Sequence, residues 1–150
     1  MKENKSIALK GNGGITLIAL VITIIVLIIL AGISIAMISG QDGILNKASQ
    51  SAAYNAIGAA KDQCSMEAAE VVNKYYEDIY VKNTQSTDEL DDLIITKLNN
   101  NANVIKALGV NGTCTATSDD ASIVLTYVDG TSVTGTLSDG VITWGNITTD

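Results

Sequence analysis

The stretch ITLIALVITIIVLIILAGISIAMI, residues 15–38, decides how this chain is organised. Two threonines, one glycine and one serine are its only interruptions, and no charged residue occurs from residue 11 to residue 41. A helix of this length spans about 36 Å, which exceeds the roughly 30 Å hydrocarbon core of a bilayer. Because only a helix satisfies the hydrogen bonds of its own backbone in lipid, the stretch predicts one transmembrane helix over residues 15–40.

The charges before this stretch predict its orientation. This segment contains a single glutamate and three lysines, Lys2, Lys5 and Lys10. Because positive charge stays on the cytoplasmic side, we expect the N-terminus in the cytoplasm and everything after residue 40 outside. The alternative is a secretory signal peptide, whose apolar region is usually about 7–15 residues long. The apolar run here is too long for that, although Ser34 and Ala36 offer a weak cleavage site.

The composition argues against an enzyme and against a nucleic-acid binder. The 150 residues include no histidine and no arginine, which removes the commonest general base and the guanidinium fork that recognises phosphate. The formal net charge of −7 would repel a nucleic-acid backbone. The aspartates at predicted turns lack the spacing of a calcium-binding loop. We therefore expect no catalytic residue, no cofactor, no metal site and no nucleic acid bound directly.

Residues 41–80 predict an amphipathic helical stem. Gly40 and Gly43 predict a kink or short break after the membrane span, because each glycine costs about 1 kcal/mol within a helix. We expect the apolar face of the stem to pack on the rest of the protein, with packing between subunits as the alternative. Its members recur at steps of three or four up to about Tyr80: Leu45, Ala48, Ala52, Ala56, Ala60, Cys64, Ala68, Val71, Tyr75 and Ile79.

Residues 81–150 predict a small globular head with one short helix and an antiparallel sheet. The helix covers Leu90, Leu93, Ile94 and Leu98, and the asparagines at residues 99–101 end it. From residue 111 the hydrophobic period changes to two, and Asp-Gly pairs follow the second and third predicted strands. These strands cover residues 113–117, 122–128, 132–137 and 141–147.

Together these elements predict an α+β fold. A long N-terminal helix, half transmembrane and half amphipathic, packs on a C-terminal antiparallel meander of three to four strands. Cys64 lies on the apolar face of the stem and Cys114 in the first strand. An even number of cysteines in an exported chain favours a disulfide, which would join helix to sheet. The alternative is two buried thiols that never meet.

The most specific motif stands at the front edge of the apolar run. It reads GGITLI, residues 13–18, and follows a basic leader. It resembles the processing motif of type IV prepilins and type II secretion pseudopilins, and several clostridial pilin-like proteins are similar over this stretch. The resemblance implies that a membrane-embedded prepilin peptidase cuts after Gly14 and releases residues 1–14 as a leader. It also implies methylation of the new amino group of Ile15.

The residues after the implied cut belong to the family's assembly core. Thr16, Leu17 and Ile18 match the residues that usually follow the cleavage site. The fifth mature residue is usually a glutamate that pairs with the α-amino group of a neighbouring subunit. Ala19 stands at that position here, so the chain lacks this docking interaction.

The resemblance implies a structural subunit, a pilin or pseudopilin, of an extracellular type IV pilus-like or type II secretion-like filament. Its partners would be the membrane, the prepilin peptidase and other pilins of the same polymer. The protein would first lie in the cell membrane as a single-pass precursor and then in a filament at the cell surface. The alternative to a filament subunit is a permanently anchored single-pass surface protein whose extracellular head binds a ligand.

Overall fold

The computed structural model describes residues 13–40, 42–83 and 89–149. The chain divides into two compact units, residues 1–48 and residues 49–150, here called the N-terminal unit and the C-terminal unit. The predicted α+β fold is confirmed. Its elements are α1 Gly13–Ser39, α2 Ile44–Tyr80, α3 Leu90–Leu98, α4 Ala102–Leu108, β1 Thr113–Thr117, β2 Ser122–Thr126, β3 Ser132–Ser138 and β4 Val141–Trp144.

Helix α1 is apolar around its whole circumference. It has 27 residues, about 40 Å at the rise of an α-helix, and it is long and apolar enough to cross a membrane. Every side chain from residue 17 to residue 39 is exposed. Two of its hydroxyl groups bond within the helix: Thr23 donates to the Leu20 carbonyl and Ser34 donates to the Leu30 carbonyl, each at 2.8 Å. From residue 17 to residue 38 the surface of α1 is therefore hydrocarbon, and both hydroxyl groups in that range are bonded within the helix.

The predicted break after α1 is confirmed. Gly40 N–H still bonds the Ala36 carbonyl at 2.9 Å, and Gly43 N–H bonds the Gly40 carbonyl at 2.7 Å before α2 begins. A Cβ atom at Gly43 would lie 2.5 Å from the Ile38 carbonyl oxygen and 2.7 Å from that of Gly40. Only a residue without a side chain allows this close approach.

The buried face of α2 differs from the predicted stripe in its first half. Leu45 is exposed, whereas Ala53 and Ile57 are buried. From Ala60 onward the predicted stripe is right, and Cys64 lies on it with no exposed surface. Alanines occupy several faces of the helix before residue 60, so their spacing does not define one stripe. The large apolar side chain of Ile57 decides which face packs on the core.

The sheet is a four-stranded antiparallel meander in the order β1-β2-β3-β4. Asp139 and Gly140 both have positive φ, 50° and 78°, as the tight turn between β3 and β4 requires. β1 and β3 follow the predicted bounds within one residue, but β2 and β4 are shorter than predicted. After β4 the chain leaves the ladder, and Thr148 rejoins it by pairing with Ser132.

One face of the sheet packs on the helices and the other is exposed. Side chains alternate along β1 and β3, with hydroxyl-bearing residues on the outer face. The core of the C-terminal unit joins this inner face to α2, α3 and α4. Its buried members are Ile57, Ala60, Cys64, Ala68, Ile94, Ile95, Leu98, Val104, Leu108, Cys114, Ala116, Ile123, Leu125, Val133 and Leu137.

The outer edge of β1 is covered by the connection between α3 and α4. Asn100 N–H donates to the Cys114 carbonyl at 3.0 Å, and Ala116 N–H donates to Asn99 Oδ1 at 3.3 Å. The predicted helix end at the asparagines is right, but a further short helix, α4, follows at once. Asn101 caps it, since its side-chain oxygen accepts from the N–H of Val104 at 3.2 Å.

Candidate functional site

The residues of the implied processing site lie in the first turns of α1. The backbone from Gly13 onward is helical, and Leu17, Ile18 and Ala19 expose their side chains. Residues 1–12, with the three lysines of the leader, lie outside the described residues. Each glycine weakens a helix by about 1 kcal/mol relative to alanine, so Gly13 and Gly14 make this turn easy to open. Cleavage after Gly14, methylation of Ile15 and the assembly role of Thr16 stay predictions.

The structure brings the two cysteines together in the core. Cys64 and Cys114 have no exposed surface and belong to the same core cluster. Cys114 also donates to the Leu98 carbonyl at 3.2 Å. The hydrogen bond to Cys114, together with burial, raises the pKa of the Cys64 thiol. Both cysteines are free thiols in this structure, and the disulfide between them stays a prediction.

Glu67 is a buried carboxylate that joins α2 to α3 and α4. It is 5% exposed. Asn103 Nδ2 lies 2.6 Å from Oε1, Gln63 Nε2 lies 3.2 Å from the same atom, and Lys97 Nζ lies 3.2 Å from Oε2. The hydrogen bond from Asn103, followed by those from Lys97 and Gln63, lowers the pKa of Glu67 although burial would raise it. Sequence reasoning missed this group, because its partners lie 30 and 36 positions away.

Replacing Glu67 with glutamine is expected to lower the free energy of unfolding at pH 7 by about 2 kcal/mol, because a charged hydrogen-bond acceptor is lost. Since folding lowers the pKa of Glu67, its stabilisation is present above the unfolded pKa near 4.5 and is lost as pH falls through the folded pKa. The loss of stability on acidification should therefore be smaller in Glu67→Gln than in the parent. Urea unfolding at pH 7, 5 and 3 measures both effects.

Glu70→Gln is the matched control for that experiment. Glu70 lies on the same helix and approaches the same lysine, with Oε2 3.4 Å from Lys97 Nζ, but its side chain is 69% exposed. Exposed ion pairs contribute little, so we expect a change within about 0.5 kcal/mol. Equal effects of the two substitutions would show that the buried position of Glu67 adds nothing to the free energy of unfolding.

Trp144 lies where the inner face of the sheet meets α2. Gly135, its partner on β3, leaves room for the ring: a Cβ there would lie 2.7 Å from Trp144 Cε3. Lys61 Nζ lies 5.6 Å from the ring centroid, within the range of a cation–π contact. Because Trp144 is the single tryptophan, its fluorescence reports on the packing of the C-terminal unit alone.

The described part of the chain carries several open grooves. One apolar groove, of about 410 Å³, lies between α2 and α3 beside Val71 and Leu93. Within residues 13–40, 42–83 and 89–149, no three histidine, cysteine, aspartate or glutamate side chains are placed to hold a metal ion. Glu67 and the two thiols face the core, where they serve packing between elements.

No protein-family model, no curated protein and no solved structure matches the chain. The arrangement of a long apolar N-terminal helix followed by an antiparallel sheet is pilin-like.

Proposed function

We propose that the chain is a structural subunit of an extracellular filament of the type IV pilus or type II secretion kind. A prepilin peptidase would process it between Gly14 and Ile15. The observation that carries the proposal is the exposed surface of α1. A helix that is hydrocarbon on every side precedes, in the chain, a C-terminal unit that already has a complete core of its own.

Two environments can cover such a helix in succession. Lipid covers it in the precursor, and the α1 helices of other subunits cover it in a filament. Because α1 carries no charged side chain, contacts between its copies rest mainly on packing of apolar and small side chains. Ala19 fits this arrangement, since a carboxylate in lipid is costly until a partner neutralises it.

Processing changes the charge of the subunit in a defined way. Removal of residues 1–14 takes away three lysines and one glutamate, so the net charge of −7 becomes −9. The C-terminal units would form an acidic outer surface that repels nucleic acid. The proposed location is the cell membrane before processing and the cell surface afterwards.

The N-terminus of the mature protein tests this proposal. We would express the full chain together with a prepilin peptidase and measure the N-terminal peptide by mass spectrometry. We expect a product that begins at Ile15 and carries one methyl group on its amino nitrogen. Gly14→Val should block the cut because a β-branched side chain then occupies the cleaved bond. Gly13→Val, one residue earlier in the leader, is the matched control and should still be cut before Ile15.

Two results would overturn the proposal. An intact N-terminus in the presence of an active peptidase would leave a permanently anchored surface protein. A product that begins after residue 36 would identify residues 1–36 as an ordinary signal peptide. Equal processing of the two glycine variants would show that the peptidase does not read Gly14.

A further inference from the structure

The strand register gives the C-terminal unit two distinct ends. Thr117 pairs with Ser122, and Ser138 with Val141, so the β1–β2 and β3–β4 turns lie at one end of the sheet. Thr113 pairs with Thr126, so the start of β1 lies at the other end with the β2–β3 turn. Seven residues of β3 separate the ends by about 23 Å, and surfaces at the two ends cannot touch within one molecule.

An exposed aromatic surface lies at the first end. Here Asp91 accepts hydrogen bonds from the N–H groups of Asp139 and Gly140, at 3.1 and 2.7 Å, which ties the β3–β4 turn to the start of α3. Next to this contact lies the tyrosine patch, which consists of Tyr75, Tyr76 and Tyr80. The Tyr76 ring lies 5.6 Å from the Tyr75 ring and 5.9 Å from the Tyr80 ring.

The tyrosine patch is partly open and is bordered by carboxylates. Tyr76 is 47% exposed and Tyr80 is 78% exposed. Tyr75 and Tyr76 line a cavity of about 280 Å³ together with Glu89, Asp91 and Asp139. Because Asp91 is already engaged by the turn, Glu89 and Asp139 supply the negative charge that an incoming group would meet. This surface suits an apolar partner that carries a positive charge.

A surface with those two properties lies at the second end of the same unit. We call it the valine patch: Lys106 and Val110 line one groove, and the strand register places Val128 at the same end of the sheet. Val110 is 84% exposed and Val128 is 54% exposed, on the two connections that flank the start of β1 and the end of β2. Lys106 lines an open groove with Val110 on the connection from α4 to β1.

We infer that the valine patch of one subunit docks on the tyrosine patch of a second copy of this chain. Lys106 would meet Glu89 and Asp139, and the two valines would pack on the exposed tyrosine rings. The contact joins two different surfaces of identical subunits, so it is heterologous and can continue as an open chain. Its role as an axial contact in a filament rests on the proposed function, whereas its existence does not.

Paired cysteines placed on the two patches test the contact directly. We would introduce Tyr76→Cys and Val110→Cys into one full-length chain, purify it in detergent at high concentration and oxidise it. A heterologous contact gives a ladder of dimers, trimers and longer oligomers on a non-reducing gel. The native thiols at Cys64 and Cys114 have no exposed surface and should not take part in links between folded chains. Each single variant should stay monomeric.

A second pair serves as the matched control. Val141 is a valine with 64% exposure that lies at the same end of the sheet as the tyrosine patch. The chain with Tyr76→Cys and Val141→Cys should therefore give no ladder. Adding Lys106→Glu to the first pair should reduce the linked fraction about tenfold, since it places like charges opposite each other. Adding Lys106→Arg should leave the linked fraction within about twofold, because the positive charge is kept.

The outcomes separate this contact from the proposed function. A ladder specific to the first pair supports the contact, whatever the N-terminus of the processed protein is. Only monomers, dimers from a single variant, or equal ladders from both pairs would overturn it. A mature N-terminus at Ile15 without a ladder would support the filament subunit and refute this particular contact.

Discussion

Oxidation of Cys64 and Cys114 to a disulfide is expected to raise the free energy of unfolding of the C-terminal unit by about 2–4 kcal/mol. The bridge would join α2 to β1 and close a long loop, which removes conformational entropy from the unfolded chain. Both thiols already lie buried in the same core cluster, so we expect the native structure to need little rearrangement. Oxidised glutathione serves as the oxidant, and a mass loss of two hydrogens shows that the bridge has formed. Urea unfolding followed by Trp144 fluorescence then measures the gain in stability.

Cys114→Ala provides the control for the oxidant. The variant keeps Cys64 but has no partner for it, so its unfolding curve should be the same with and without oxidised glutathione. Two observations would contradict the prediction. Either both thiols remain free to alkylation after denaturation of the treated protein, or the bridged protein unfolds at the same urea concentration as the reduced one.

Ile57→Ala is expected to destabilise the C-terminal unit by about 3 kcal/mol, the middle of the range for removing a large buried aliphatic side chain. Ile57 has no exposed surface and lies in the main core cluster. Alanine leaves a cavity there, and it costs nothing in helix propensity because alanine is the best helix former. The shift of the urea midpoint, again read from Trp144, measures the loss.

Met66→Ala is the matched substitution on the exposed face of the same helix. Met66 is 66% exposed, so its truncation removes almost no buried surface, and we expect a change within about 0.5 kcal/mol. A small effect of Ile57→Ala, comparable to that of Met66→Ala, would mean that this part of α2 does not pack on the core in solution.

The sheet was predictable because its signals are local. Alternation of apolar and hydroxyl-bearing residues fixes the strands, and the Asp-Gly pair at residues 139–140 fixes a tight turn with positive φ at both positions. The glycine break after α1 is local in the same sense. The end of β4 was not predictable, because it depends on Gly145 N–H bonding the Thr134 carbonyl and on Thr148 returning to Ser132.

The features that sequence reasoning missed lack an unambiguous local signal. The burial of Glu67 has no sequence signal, because it depends on contacts with Lys97 and Asn103. Ile57 was missed because the alanines around it satisfy several helical stripes equally well. Helix α4 was missed because seven residues carry too few periodic positions to signal a helix, although Asn101 is an ordinary capping residue.

The candidate sites differ in the same respect: one is defined by consecutive residues and the other only by the fold. The GGITLI motif needs no fold to be recognised, because a peptidase reads consecutive residues. The two surfaces of the proposed contact become visible only in the fold: the strand register places Val110 and Val128 at one end of the sheet, and Tyr76 lines a cavity with Asp139 at the other. Neither valine has a sequence signal that separates it from a strand residue.

The order of the strands has a kinetic consequence. Each strand of the sheet pairs only with strands next to it in the sequence, so the sheet can form by closing successive hairpins, each of which takes microseconds. Topologies with such nearby pairings fold fast, because little loop entropy is lost before contacts form. The distant element is α2, which is synthesised before the strands and can serve as the surface on which they collapse. A chain exported in an unfolded form would then expose its apolar strands only briefly before they are covered.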